Sequence, residues 1–151
     1  MKKFEFPLAR AAQWYRQNLA SQQTVLQGIL KDLAELEGRM QSLRQAKTLE
    51  QERVISSSVL LGGELRDLAD YAELIRSKLE AARPLQTHLM ARAEAQRKTV
   101  LECHRRVRLM ENLETRRREE WLLELNKDQD ALASDLFLAG LIRQQNEATT
   151  V

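Results

Sequence analysis

The one cysteine of this 151-residue chain, Cys103, and its two histidines, His88 and His104, are the first residues to weigh for nucleophilic or zinc chemistry. Cys103 and His104 are neighbours, and neighbours on a helix point about 100° apart, so they cannot form a nucleophile–base dyad. Neither histidine is accompanied by a serine or carboxylate constellation. A structural zinc site needs about four clustered ligands, more than one cysteine and two histidines supply. Gly62-Gly63 is followed by Glu64, with no Lys-Ser/Thr and no preceding strand, which excludes a phosphate-cradling loop. The sequence offers no catalytic, cofactor-binding or metal-ligating set, and we expect a protein that is not an enzyme.

What remains is charge and apolar surface. Arg105, Arg106, Arg108, Arg116, Arg117 and Arg118 form a basic band; from Arg92 to Arg118 nine basic residues stand against four acidic ones. From Glu119 onward the balance reverses, with seven acidic residues against two basic. The band reads either as the solvated flank of a helix or as a docking surface for an acidic protein. Nucleic acid is disfavoured, because no stacking aromatics interleave the arginines and no basic region forks from a parallel zipper. Trp121 either caps a packed layer or joins Leu122, Leu125, Leu132, Leu136 and Phe137 in an apolar stripe for a partner groove or ring. Tyr71 and Leu74 form a second, smaller candidate surface.

The elements that position these groups are legible from spacing. One register aligns Ala12, Leu19, Leu26, Leu33, Met40 and Val54, and the adjacent line holds Leu8, Tyr15, Ile29, Leu36 and Leu43. Only Gln22, Lys47 and Glu50 interrupt. Apolar 3-4 spacing sustained over many heptads predicts a coiled-coil helix, here over about residues 8–55, with Pro7 acceptable in its first turn. Ser56-Ser57-Ser58 and Gly62-Gly63 mark a reversal over about 56–63. A second helix is expected over about 64–142, its seam running from Leu65, Leu68, Ala72 and Ile75 to Val107 and Met110, with Gln86 and Gln96 as polar gaps. A frayed tail over 143–151 completes the expectation of one coiled-coil domain. A short loop between long helices implies an antiparallel hairpin, all-α, with the second helix the longer.

Reversal near residue 60 puts Leu8 opposite roughly residue 112, leaving about 30 residues, or about 45 Å, of the second helix without an internal partner. After Met110 the seam fails at Glu114 and Arg117 and is expected to resume one residue out of phase at Leu122, Leu125, Leu132 and Leu136. Pro84 should kink the second helix while facing outward. Gly28 and Gly38 fall off the first seam, either as tolerated surface positions or as places where another backbone comes close.

Composition agrees with a surface-rich helical protein: 5% aromatic and 30% charged, with formal net charge +2. A lone cysteine fits a reducing compartment. The opening MKKFEFPLARAAQWYRQ has no uninterrupted apolar core of the signal-peptide kind, and no stretch approaches the ~18 apolar residues of a membrane span. A cytoplasmic protein is expected.

Three segments together resemble the flagellar FliJ family of type III export proteins. Phe4-Glu5-Phe6-Pro7-Leu8-Ala9-Arg10 is similar to that family's Phe-x-Phe-x-Leu start. Tyr71 to Leu74 resembles its Tyr-x-x-apolar step after the loop. Leu113-Glu114-Thr115-Arg116-Arg117-Arg118-Glu119-Glu120-Trp121 resembles its charged Leu-Glu-x-Arg/Lys-Arg-x-Glu-Glu-aromatic segment. The resemblance implies a coiled coil like the central stalk of rotary ATPases, one that binds the hexameric export ATPase, promotes its assembly and activity, contacts the cytoplasmic domain of the export gate and handles export chaperones.

Carried onto this chain, it implies ring contact through Phe4, Phe6, Arg10, Arg105, Arg106, Arg108, Arg116, Arg117, Arg118 and Trp121, and gate contact through Tyr71, Leu74 and Lys78. It further implies no cofactor, no nucleic acid, and peripheral association with the inner-membrane export apparatus through partners only. The rival readings are the equivalent stalk of a virulence secretion system and a generic cytoplasmic coiled-coil scaffold or adaptor.

Overall fold

The computed structural model describes residues 3–57, 59 and 61–148. Two helices account for nearly all of it: α1 spans Ala9–Ser56 and α2 spans Gly62–Ala148. They pack against each other as an antiparallel helical hairpin in which α2 is the longer, as the heptad spacing predicts.

The ends of the helices are set by local chemistry. The Phe6 carbonyl accepts a hydrogen bond from the Ala9 amide (3.1 Å), and the Leu8 carbonyl one from Ala12 (2.9 Å), so Pro7 lies just ahead of α1 where its missing donor costs nothing. At the other end both the amide and the hydroxyl of Ser57 donate to the Val54 carbonyl, at 3.3 and 2.8 Å. That satisfies an acceptor the helix would otherwise leave open. Helix α2 starts when the Leu61 carbonyl takes up the Glu64 and Leu65 amides.

The expected turn over 56–63 is therefore too wide at its far edge. Gly62 and Gly63 belong to the first turn of α2, and no described glycine has positive φ. Ser58 and Leu60 lie outside the described residues. The expected helix end at 142 is also too early. Gly140 keeps helical φ, so nothing stops the ladder, and α2 continues to Ala148. Residues 149–151 of the expected tail lie outside the described residues.

The chain forms two compact units, Gln17–His104 (the turn unit) and residues 3–16 with 105–148 (the terminal unit). In the turn unit the core is the expected seam. Met40 and Ile75 are each 2% exposed, and Ile29, Val54, Leu89, Ala93, Val100 and Cys103 are buried with them. Leu65 is the exception. It is exposed, in the first turn of α2.

The polar interruptions of the two seams find partners. Gln96 Nε2 donates to Gln22 Oε1 at 2.7 Å and to the Gln22 carbonyl at 3.0 Å, so the gap in one seam fills the gap in the other. A polar layer of this kind fixes register at some cost in stability. Gln86 reaches Glu37 at 3.4 Å, and Asn18 donates to the buried Cys103 sulfur at 3.5 Å. Glu50 tolerates its seam position by turning outward to Arg53. Arg53 Nη2 donates to Glu50 Oε1 at 2.6 Å, and this bond holds the carboxyl below the usual carboxylate range.

Helix α2 is continuous through Pro84, which is exposed, as its outward heptad position requires. Gly28 and Gly38 have no atom within 4 Å of where a Cβ would stand. No neighbouring backbone of this chain needs either glycine. Gly28→Ala and Gly38→Ala are each expected to raise stability by about 0.5–1 kcal/mol in urea unfolding, since alanine restricts the unfolded chain. A loss of stability at either site would mean that the helix needs the glycine for something else.

Candidate interaction surfaces

Every residue that the family resemblance assigns to the ATPase ring lies in the terminal unit, on the segment 3–16 or on α2 from residue 105 onward. Phe4 and Phe6, in the strap ahead of α1, are half-buried, and Arg10 is exposed. The Phe4 ring tilts onto Trp121 with centroids 5.9 Å apart and planes at 54°. The separation lies within the range of contacting aromatic pairs. The strap from Lys3 to Leu8 and the α2 residues Leu113, Arg117, Glu120, Trp121 and Glu124 line an open groove of about 600 Å³. Leu8 faces this groove and stays exposed, so it is not a seam residue as its spacing predicts.

The seam of α2 keeps its phase through Trp121; beyond it Leu125, one residue out of phase as expected, is half-buried while Glu124 is exposed. Val107 is buried, Glu114 and Trp121 at seven-residue steps are half-buried, and Leu113 and Leu125 flank them at similar depth. Leu122, the expected restart, is exposed. The polar residue at the apparent break is accommodated by a cross-chain partner, because Glu114 meets Arg16 at 3.7 Å rather than serving only its own helix. With both side chains about half exposed, that pair adds little stability.

The arginines Arg105, Arg106, Arg108, Arg116, Arg117 and Arg118 are all exposed. Arg117 donates to Glu120 at 3.2 Å along the rim of the groove. Being consecutive, Arg116, Arg117 and Arg118 fan through roughly 200° of the helix circumference. One flat partner could meet only part of that fan. An encircling partner could meet all of it.

The second candidate surface lies in the turn unit. Tyr71, Leu74 and Lys78 stand at i, i+3 and i+7, on one stripe of α2. Tyr71 is half-buried, and with Glu50, Arg53, Val54, Glu64, Asp67 and Leu68 it lines a groove of about 490 Å³. Leu74 is 50% exposed and Lys78 exposed, so both are presented outward beside the buried Ile75. Arg76, on the same turn, is held between Glu73 at 2.6 Å and Glu80 at 3.4 Å.

Beyond Leu125 no α2 side chain up to Asn146 is buried, although Leu132, Leu136, Phe137, Leu138, Leu141 and Ile142 are large and apolar. Trp14 is likewise exposed, edge-on to Tyr15 at 5.1 Å. Among the described residues no group of three or more His, Cys, Asp or Glu is placed to hold a metal ion, and no helix is long and apolar enough to cross a membrane. No family model matches the chain, and no curated protein or solved structure matches it either.

Proposed function

We propose that this chain is a non-enzymatic component of a flagellar type III protein export apparatus, acting as the stalk-like subunit of the hexameric export ATPase. One observation carries the reading. The Phe-x-Phe opening and the Arg-rich, Trp-ended segment are more than a hundred residues apart in sequence, yet Phe4 packs on Trp121 to build a single surface. Two of the three segments that resemble the FliJ family thus form one structural feature. The fan of exposed arginines beside it suits a partner that surrounds the helix, as a ring does.

In this reading Phe4, Phe6 and Trp121 hold the strap against α2. Arg10, Arg105, Arg106, Arg108, Arg116, Arg117 and Arg118 meet acidic groups of the ring. A single asymmetric helix pair inside a six-fold ring meets the six subunits unequally, which biases their nucleotide states. Tyr71, Leu74 and Lys78 meet the cytoplasmic domain of the export gate, so that the chain links ring to gate, with export chaperones as further partners. Its association with the membrane is through those partners.

The exposed apolar residues from Leu132 to Ile142 favour a second reading, a coiled-coil adaptor with another partner. The two are separated by mixing the purified chain with the cognate export ATPase and following ring assembly by light scattering and electron microscopy. The stalk reading expects more rings, each retaining the chain. Tyr71→Ala with Leu74→Ala is expected to preserve ring assembly and weaken capture of the gate domain. If rings neither increase nor retain the chain, the adaptor reading stands instead.

A further inference from the structure

The face of α2 turned away from the seam carries a mirrored pattern. Leu109, Arg116, Glu119, Leu123, Lys127, Asp130 and Phe137 are all exposed and fall within an arc of about 80° at about 100° per residue. Reflected about Leu123, each position meets a complementary one. Leu109 maps onto Phe137, Arg116 onto Asp130, Glu119 onto Lys127, and Leu123 onto itself. Mirror symmetry of this kind is what an isologous two-fold contact between identical helices requires.

We propose that this face is a self-association surface, on which α2 of a second copy lies antiparallel with Leu123 at the two-fold axis. The contact then joins Leu109 to Phe137 of the second copy twice, and covers apolar side chains that the monomer leaves 57%, 62% and 68% exposed at Leu109, Leu123 and Phe137. Arg116 and Glu119 of each copy meet Asp130 and Lys127 of the other, which gives four opposite-charge pairs across the dimer. Those charges set direction and register more than affinity. A parallel, in-register pair would oppose Arg116 to Arg116 and Asp130 to Asp130, so the same residues exclude the alternative.

A second copy fits better than the other occupants of an apolar helix face, because both halves of the complementarity are written in this one chain. The inference does not depend on the export reading. If that reading holds, Arg116 serves both surfaces, and self-pairing and ring binding exclude each other.

The experiment uses the full chain in sedimentation velocity over a concentration series, with wild type expected to move from one-chain to two-chain mass. Arg116→Asp is expected to shift that transition at least tenfold higher in concentration. Adding Asp130→Arg to it should bring the transition back, since the pair is restored with its signs exchanged. Independently, Leu123→Cys should oxidise to a covalent dimer, whereas Ala139→Cys, on the opposite side of the helix, should not; the native Cys103 is buried. A chain that stays monomeric throughout, or a dimer that ignores the charge exchange and leaves Cys at 123 uncrosslinked, overturns the proposal.

Discussion

Ile75→Ala is expected to lower unfolding stability by about 2–4 kcal/mol, whereas Leu74→Ala, one residue away, should cost less than about 1 kcal/mol. The contrast follows from position on α2. Ile75 is 2% exposed in the turn-unit seam, and truncation leaves a cavity that two stiff helices collapse onto only partly. Leu74 is 50% exposed, so half of its transfer free energy was never gained. Urea unfolding of both variants, followed by circular dichroism at 222 nm, decides the matter. Comparable losses at the two sites would mean that the seam does not carry the stability of the turn unit.

Replacing Arg116, Arg117 and Arg118 together by alanine is expected to reduce stimulation of the export ATPase at least tenfold, with helicity unchanged. All three are exposed, and the ion pair lost among the described residues, Arg117 with Glu120, is exposed too, so folding has little to lose. Alanine is also at least as good a helix former as arginine. The proposed contact with an acidic ring, by contrast, would lose three positive charges, and truncating one member of a desolvated charge pair is costly. Wild-type stimulation should itself weaken with added salt, and the triple variant should show a flatter salt dependence. If the triple variant stimulates like wild type, the arginines are solvated helix surface and the ring contact lies elsewhere.

The seam was legible because burial on a helix pair imposes a period on one-dimensional sequence. Met40, Val54, Ile75 and Val100 are buried where heptad spacing put them. Gln22 and Gln96 were legible as gaps but not as a pair, since their hydrogen bond depends on how the two helices slide past each other. The misread phase near Trp121 has a similar origin. Glu114 looks like a break until Arg16 arrives from the other helix, and of the expected restart only Leu125 is half-buried while Leu122 is exposed.

Phe4 was beyond periodicity altogether. A segment outside any helix or strand has no repeat to betray which face it packs on. The continuation of α2 past residue 142 has no periodic signature, because none of its side chains from 126 to 146 is buried. Chemistry-bearing residues were legible in kind and not in arrangement. Three consecutive arginines suggest a patch, whereas the helix spreads them into a fan.

The proposed function stands or falls on whether the Phe4–Trp121 surface and its arginines act on a hexameric ATPase. The direct measurement is the steady-state ATP hydrolysis rate of the cognate flagellar export ATPase, with and without the purified chain at near-stoichiometric amounts. The account predicts a rise in rate that saturates near one chain per ring and is lost in the arginine triple variant. An unchanged rate at every ratio, with the chain folded, would contradict it.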